Sequence, residues 1–501
     1  MLVNTNETVE LTLPNQLSYL PVAQAVVREA ARNCGFADAT LSEIELGVEE
    51  AVTNIMKHAY DIEENPTFDI VCKRLPEGLQ IILREKGIPF DPKLIPHYKP
   101  EEMDLESSSA GMGFHLMKSM MDDVQLVNLG PGGKETRLLK LFKDTSRAGK
   151  AGGPATPVVA EPKVIEEKIA YDVRLMAENE AIEVSKCAFK SHGYSFFDDH
   201  IYFPERLVEL NQNGTMISAV AVTKNNVFMG HAALLYQHPE DRIPELTFVF
   251  VNVEYRGQGA FNRLNEFLMK TPKKRECTGI YAYAVANHTF TQKTMARYGI
   301  NDCGILLATS PRTWKFKGIP GDPTQRISVI LAFRYMDTPK PITIYAPAHH
   351  QEMIAKLYKN LGATPVWGTA ASTPAPLPES APEILTEINE SESCAEIYVK
   401  RYGKDVVREV HKQLRRFCIQ QIACTNLFLN LEDPATQAMT AEFEKLGFFF
   451  AGILPCGRIG DTLILQYLNN VDLSYEKISA YSEMAKELLE YIRVHDPNAS
   501  L

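Results

Sequence analysis

The stretch Glu43–Tyr60 constrains the fold of this chain most, because it combines an amphipathic helix pattern with three aligned polar side chains. Glu50, Asn54 and His58 stand four residues apart, so they lie along one side of a helix. A carboxylate can accept a proton, and a carboxamide oxygen suits Mg²⁺. A solvated polar edge gives the same pattern, so the helix alone leaves both interpretations open. The opposite, apolar face is formed by Ile44, Val48, Ala51, Val52, Ile55 and Met56.

Two motifs follow this helix. Arg84–Pro92 reads REKGIPFDP, a predicted strand end followed by Gly-x-Pro-Phe-Asp, and Ser107–Val124 contains a Gly-Met-Gly sequence that opens a predicted helix. Glycines let a backbone approach phosphates, and a helix start offers free N–H groups. The polar segment His97–Ser109 is predicted to be a lid over bound phosphates, the alternative being a long surface loop.

The order of these three motifs resembles the GHKL ATP-binding fold, and within it the anti-sigma-factor serine kinases of bacteria. The resemblance covers roughly residues 5–143. It implies a Bergerat-type α/β sandwich that uses ATP and Mg²⁺ and phosphorylates a serine or threonine of a STAS-type anti-sigma antagonist. It also implies a sigma factor as a second partner and, since family members commonly dimerise, a homodimer.

The resemblance assigns a role to each matching position. Glu50 matches the catalytic base and Asn54 the Mg²⁺ ligand, and the spacing to Asn54 favours Glu50 over Glu49 as the base. Glu85 stands where the family usually has an aspartate that contacts adenine, which leaves nucleotide affinity and base preference open. The predicted ATP-binding residues are Asn54, His58, Glu85, Gly87, Gly111, Met112 and Gly113.

Composition and the absence of certain motifs limit the classes of protein to which the chain can belong. The net charge of −11 argues against a general nucleic-acid binder, which needs clustered Lys and Arg. Nine scattered cysteines form no CxxC motif, so we expect buried free thiols. The sequence has no signal peptide and no apolar run of the ~18 residues that cross a bilayer, so we expect a cytoplasmic protein with no membrane partner.

A second region follows Asp144–Ala160, a stretch rich in Gly, Ala and Pro that is typical of a linker. Within Ile243–Lys270, a strand, the sequence Arg-Gly-Gln-Gly and a helix follow one another, and such a unit suits a pyrophosphate. This stretch resembles the GNAT acetyltransferase superfamily, which implies acetyl-CoA or another acyl-CoA as ligand. The CoA-binding residues that it implies are Arg256, Gly257, Gln258, Gly259, Asn287 and Tyr298.

Some features of this region depart from the GNAT pattern or stay open. Phe261 occupies the last small position of the loop motif, where a bulky side chain could crowd the pyrophosphate. Tyr298 falls near the general acid of many family members. Glu245 and Glu254 are candidate bases for an attacking amine, the alternative being exposed carboxylates at strand ends.

The segment Asp433–Pro455 repeats the order of strand, helix ending in Gly, and strand seen around Ile280–Ile300. It predicts a second, degenerate GNAT-like unit without the Arg-Gly-x-Gly loop, and hence without CoA binding. We expect His349 and His350 to hold no metal, because adjacent residues point apart and no third ligand is evident. We also predict a terminal helix over Ser474–Val494.

The predicted fold class is a multidomain mixture of α+β and α/β. We expect an ATP-binding domain at 1–145, a linker at 146–163, a GNAT-like domain at 164–338 and a degenerate GNAT-like domain with a C-terminal helix at 339–501. Three functions follow: a regulatory serine/threonine kinase in bacterial signalling with a GNAT-like sensor or output region, a nucleotide-regulated N-acetyltransferase, and a non-catalytic ATP-dependent partner switch.

Overall fold

The computed structural model describes residues 8–60, 66–75, 77–89, 112–142, 169–194, 196, 198–271, 275–312, 325–368 and 377–499, without the side chains of His58 and Met112. The chain divides into two compact units. The first unit comprises the described residues up to 142 together with 177–194 and 198–207. The second unit comprises 169–176, 196 and 208–499. The predicted linker lies outside the described residues, and the predicted domain boundaries stay a prediction.

The first unit is a layer of helices on an antiparallel sheet in the order β1-β2-β3-β5-β4. Its elements up to residue 142 are β1 (Thr8–Pro14), α1 (Leu20–Cys34), α2 (Asp38–His58), β2 (Thr67–Leu75), β3 (Gly78–Glu85), α3 (Met112–Met120), β4 (Asp123–Asn128) and β5 (Lys134–Leu141). The predicted apolar face of α2 packs into the core, where Ile44, Val48 and Val52 are fully buried. Because that face is buried, the opposite side of α2 carries the polar residues.

The second unit is built on one sheet of twelve strands, in the order β15-β16-β17-β19-β18-β11-β12-β10-β9-β8-β7-β6. Between residues 169 and 335 the chain forms β6 (Tyr171–Leu175), α4 (Ala181–His192), α5 (Pro204–Gln212), β7 (Met216–Thr223), β8 (Phe228–Leu235), β9 (Glu245–Val251), α6 (Ala260–Lys270), β10 (Gly279–Val285), α7 (Phe290–Arg297), β11 (Asn301–Ser310) and β12 (Ile327–Tyr335). Of these, α4 and the start of α5 belong to the first unit.

The rest of the second unit repeats this design, as the sequence predicts. Its elements are β13 (Thr343–Ile344), α8 (Gln351–Asn360), β14 (Val366–Trp367), β15 (Glu383–Asn389), β16 (Cys394–Arg401), α9 (Val406–Ile419), β17 (Cys424–Asn430), α10 (Pro434–Glu444), β18 (Phe449–Gly457), β19 (Gly460–Leu468) and α11 (Glu483–His495). The order β8-β9-β10-β12-β11 recurs as β15-β16-β17-β19-β18, with the same parallel and antiparallel neighbours. We call the first set of five strands, with α6 and α7, the first half. We call the second set of five strands, with α8, α9, α10 and α11 and the segments that connect these elements, the second half.

The two halves join edge to edge where β11 meets β18, through the antiparallel pair Gly304 and Gly452. The predicted terminal helix is too long at its start. It begins at Glu483, because the Ser482 hydroxyl oxygen accepts a hydrogen bond from the Ala485 amide and caps the helix there. Among the described residues, no helix has both the length and the apolar character needed to cross a bilayer.

Candidate functional site

Two of the three aligned polar residues of α2 meet the start of α3. A Cβ atom built on Gly113 would lie 2.6 Å from Oε2 of Glu50 and 3.6 Å from Nδ2 of Asn54. A side chain at this position would therefore displace the carboxylate. Glycine allows the first turn of α3 to lie against both groups, and this turn offers N–H groups that have no partner within the helix.

The Glu50 carboxylate is electrostatically distinct. Burial raises the pKa of Glu50, the neighbouring Glu49 raises it further, and Lys57 opposes the change. A carboxylate with a raised pKa holds a proton more readily, which is a property of a general base. Glu49 is directed elsewhere, because its Oε2 accepts a 2.9 Å hydrogen bond from Nε2 of Gln24 on α1.

The donor set at this position fits a magnesium–nucleotide complex. Mg²⁺ binds carboxamide oxygens together with phosphates, and Asn54 supplies a carboxamide next to the carboxylate of Glu50. The N-terminus of α3 carries a partial positive charge that favours phosphate. In this arrangement Asn54 would hold the ion, and Gly113 leaves the room that the two side chains need.

Glu85 is buried at the end of β3, where its two carboxylate oxygens have different partners. Oε1 lies 2.7 Å from Nζ of Lys134 on β5, and both side chains are 7% exposed. Oε2 accepts a hydrogen bond from the amide of Gly87. The Lys134 ammonium also donates to the Ile88 carbonyl at 2.5 Å. The partnership of Lys134 with Glu85 could not be predicted, because residues 49 positions apart carry no sequence signal of such a pair.

Gly87 lies against the end of α2. A Cβ atom at this position would lie 2.0 Å from the carbonyl oxygen of Ala59, so only glycine fits. The carbonyl of Gly87 accepts a 2.8 Å hydrogen bond from the hydroxyl of Tyr194, which follows α4 in the first unit. Burial raises the pKa of the Tyr194 phenol, so it stays a donor. No sequence signal identifies Tyr194 as a neighbour of this segment.

The remaining predicted nucleotide contacts are only partly described. Gly111 and the segment His97–Ser109 lie outside the described residues. Met112 and His58 lie at the start of α3 and the end of α2, without described side chains. The structure thus brings together Glu50, Asn54 and Gly113 at one position, and Glu85 and Gly87 at another.

The predicted CoA loop connects β9 to α6 in the second unit. Gly257 and Gly259 have φ angles of 83° and 81°, and Gly259 is the N-cap of α6. Left-handed φ angles beside a helix start favour glycine and allow amide groups to face an anion. The Gln258 carbonyl accepts a 3.1 Å hydrogen bond from the Tyr171 hydroxyl, which fixes the loop to β6. Arg256 is exposed in the same loop.

The strands behind this loop separate. β9 and β10 run parallel with one registered pair, Glu245 with Tyr281, so the two strands diverge beyond it. Phe261 contacts the Phe290 ring at 5.9 Å between centroids, on α7. The ring of Phe261 therefore packs against another helix of the same half.

The other predicted CoA residues have varied surroundings. Asn287 is exposed after β10. The Tyr298 hydroxyl donates to the Asn262 carbonyl at 2.8 Å, and burial raises its pKa. The two candidate bases differ in exposure. Glu254 is exposed, in agreement with the alternative that it is a solvent-facing carboxylate. Glu245 does not fit that alternative, because it is buried and accepts a 3.0 Å hydrogen bond from Nε2 of Gln237.

Comparison with known proteins identifies the N-terminal region. The family model for the histidine kinase-like ATPase domain matches residues 13–140. The serine-protein kinase RsbW of Oceanobacillus iheyensis is 28% identical over 124 residues, which are 24% of this chain and 78% of that protein. RsbW of Bacillus subtilis is 26% identical over 129 residues, 25% of this chain and 81% of that protein. The chain therefore carries a histidine kinase-like ATPase domain with serine-kinase relatives.

Solved acetyltransferase structures are similar to another part of the chain. The Salmonella typhimurium acetyltransferase yncA, solved with acetyl-CoA, is 13% identical and covers 34% of this chain and 96% of its own, with a TM-score of 0.28. The ribosomal-protein-S5-alanine acetyltransferase of Vibrio fischeri is 18% identical and covers 35% of this chain and 98% of its own, with a TM-score of 0.26.

Proposed function

We propose that the N-terminal domain is a protein serine/threonine kinase that uses ATP and acts on a STAS-type anti-sigma antagonist, with a sigma factor as the other partner. The observation that carries this proposal is the meeting of Glu50 and Asn54 with Gly113 at the start of α3. The match of residues 13–140 to the ATPase family supports nucleotide binding. The serine-kinase relatives support the reaction type.

In the proposed reaction, the serine oxygen of the partner forms a bond to the γ-phosphorus of ATP. The bond from that phosphorus to the bridging oxygen breaks, and ADP leaves with the electron pair. Glu50 takes the hydroxyl proton, for which its raised pKa suits it. Asn54 would hold Mg²⁺, which supplies positive charge against the phosphates when it is bound. The N-terminus of α3 adds hydrogen-bond donors.

The decisive experiment incubates the full chain with γ-labelled ATP and a STAS-domain partner. We expect label on the partner, and we expect Glu50→Gln to lower the transfer rate by about 100-fold or more. Glu49→Gln is the matched control, since it removes the adjacent carboxylate that contacts α1, and it should keep the rate within a few-fold of the original.

The pH profile adds a second criterion. Transfer should rise with pH as Glu50 loses its proton, and this limb should be absent in Glu50→Gln, because the amide does not titrate. Equal transfer by Glu50→Gln and the unchanged chain contradicts the catalytic assignment. Nucleotide binding without transfer to any STAS partner supports the partner-switch alternative.

A second candidate function, acyl-CoA binding or N-acetyl transfer by the first half, has its own observation. The divergence of β9 from β10 behind the Arg256–Gly259 loop supports a place for an acyl-CoA in the second unit. The test is acetyl-CoA consumption by the full chain with an amine acceptor, which Arg256→Ala should reduce. Binding without consumption favours a sensor role for this half.

A further inference from the structure

Two adjacent histidines and a distant glutamate converge in the second half. Nε2 of His349 lies 2.9 Å from Oε2 of Glu444, and Nε2 of His350 lies 2.6 Å from Oε1 of the same carboxylate. His350 is the N-cap of α8, and Glu444 is the last residue of α10. The expectation that the two histidines point apart is wrong. The chain turns into α8 at His350, and the two ring centroids lie 4.1 Å apart.

A tyrosine on α11 orients the buried ring. The Tyr491 hydroxyl donates to the His349 carbonyl at 3.1 Å and lies 2.7 Å from Nδ1 of His350. The hydroxyl therefore holds the buried ring from its Nδ1 side. Nε2, on the other side of the ring, faces the carboxylate of Glu444.

The side chains of the cluster match a metal ligand set. One ligand atom from each of His349, His350 and Glu444 lies within 4.8 Å of the other two. The other titratable groups that face His350 are Tyr491 and His495, whose ring centroids lie 5.8 Å and 5.2 Å from that of His350. Imidazole nitrogens and carboxylate oxygens are common ligands of zinc in proteins.

The cluster has a buried side and a side open to solvent. The side chain of His350 is fully buried, that of Glu444 is 25% exposed and that of His349 is 44% exposed. An ion can therefore enter past His349, and water can complete its coordination. Bonds of about 2.0–2.2 Å separate tetrahedral ligand atoms by about 3.3 Å or slightly more, so the two histidine nitrogens need to move away from the Glu444 oxygens by about 0.4–0.7 Å.

We propose that His349, His350 and Glu444 bind one Zn²⁺ ion, with water at the fourth position. Two imidazole nitrogens, one carboxylate oxygen and an open position form a ligand set typical of zinc. Mg²⁺ and Ca²⁺ prefer oxygen ligands alone. Tyr491 acts as a positioning residue, because it fixes the His350 ring with Nε2 directed at the ion. This proposal does not depend on the kinase reaction.

The test is calorimetric titration of the metal-free full chain with Zn²⁺, repeated with Co²⁺ to record the absorption of a tetrahedral site. His349→Gln is the main variant because its side chain is partly exposed and its loss leaves the core intact. We expect one ion per chain at this site, bound at least about tenfold more weakly in His349→Gln and in Glu444→Gln. His411→Gln, which removes an exposed histidine on α9, is the matched control and should bind as before.

Ions that bind elsewhere, at cysteines or at Asp198, Asp199 and His200, persist in every variant and do not obscure the difference. Tyr491→Phe should keep the ion but weaken its binding by about tenfold, whereas a merely structural tyrosine would leave the affinity unchanged. Identical stoichiometry, affinity and Co²⁺ absorption in His349→Gln, Glu444→Gln and the unchanged chain would overturn the proposal. Circular dichroism of each variant verifies that it is folded.

Discussion

The two halves of the large sheet share one strand order but differ in how their two parallel strands pair and in the loop that follows the first of these strands. In the first half, β9 and β10 have one registered pair, and eight residues connect β9 to α6. In the second half, β16 and β17 pair at six positions from Cys394–Cys424 to Val399–Leu429, and four residues connect β16 to α9. The same topology is therefore open in one half and closed in the other.

This difference teaches that a short loop before the helix and a closed pair of parallel strands occur together in the second half. Parallel neighbours that keep their hydrogen bonds leave no gap for an extended ligand. The longer loop of the first half provides Arg256 and left-handed glycines, whereas the shorter loop of the second half turns directly into α9. The second half shares one hydrophobic core with the first half, and it carries the histidine cluster.

The largest expected effect concerns the junction between the two halves, where β11 pairs with β18. Gly452 has a φ of 143°, and a Cβ atom there would lie 2.3 Å from Cα of Gly304. Gly452→Val should therefore lower the free energy of unfolding by about 4 kcal/mol or more, because it strains the backbone and separates β11 from β18. Urea unfolding measures this. Gly193→Val, at a glycine whose Cβ would contact nothing within 4 Å, controls for backbone strain alone; equal losses would contradict the prediction.

The second largest effect is a dependence of the free energy of unfolding on pH, which should have opposite signs for one residue in each half. His231 on β8 is fully buried and donates from Nδ1 to the Phe248 carbonyl at 2.8 Å, and burial lowers its pKa to about 4. Between about pH 6.5 and pH 4, His231 binds a proton in the unfolded chain, where its pKa is about 6.5, but stays neutral in the folded chain. The free energy of unfolding should thus fall by about 3 kcal/mol as the pH drops from about 6.5 to about 4. His231→Asn, which keeps a donor to Phe248, should flatten this slope.

Glu396 in the second half should act in the opposite direction. Burial raises its pKa to about 6, although the Tyr398 hydroxyl donates to its Oε2 at 2.6 Å. A carboxyl group with a raised pKa favours the folded state when protonated, so its contribution to stability grows as the pH falls from about 6 to about 4.5. Glu396→Gln should remove this contribution. Unfolding curves of both variants across pH measure the two slopes, and slopes of equal sign would contradict the comparison.

The smallest expected effect compares the two loops directly. Arg256→Ala should weaken acetyl-CoA binding by about tenfold, since one charge-assisted contact to a phosphate contributes about 1.5 kcal/mol. Lys404→Ala, in the corresponding loop of the second half, should leave binding unchanged because β16 and β17 are closed there. Calorimetry with acetyl-CoA measures both affinities. Equal weakening by the two variants would mean that the halves do not differ as ligand sites.

Much of the fold could be predicted from the sequence because its signals are local. The hairpin of β2 and β3, the glycine cap after α1 and the internal repeat follow from turn residues and periodicity. The predicted fold class is confirmed. The predicted ATPase family of the N-terminal region is confirmed by the match of residues 13–140 to the histidine kinase-like ATPase domain. The sequence pattern does not predict the strands β15 and β19, and it predicts a terminal helix that begins at Ser474, whereas the helix begins at Glu483.

Side-chain partners brought together by the fold could not be predicted. The spacing of Glu50 and Asn54 is a property of one helix, so it could be inferred locally. Lys134 beside Glu85 and Glu444 beside the two histidines depend on sheet register and helix packing over long sequence separations. The burial of Glu245 and its hydrogen bond from Gln237 could not be recognised either, because they depend on how β9 packs in the sheet.

The hydrogen bond from Tyr194 to Gly87 has a consequence for biosynthesis. The glycine next to the expected adenine site receives this bond from a residue that lies 107 positions further along the chain. A ribosome must therefore release residue 194 and more before that bond can form, even though the domain's own strands end at Leu141. In a nascent chain that has not yet reached Tyr194, or in a fragment that ends soon after Leu141, the Gly87 carbonyl lacks this hydrogen-bond donor.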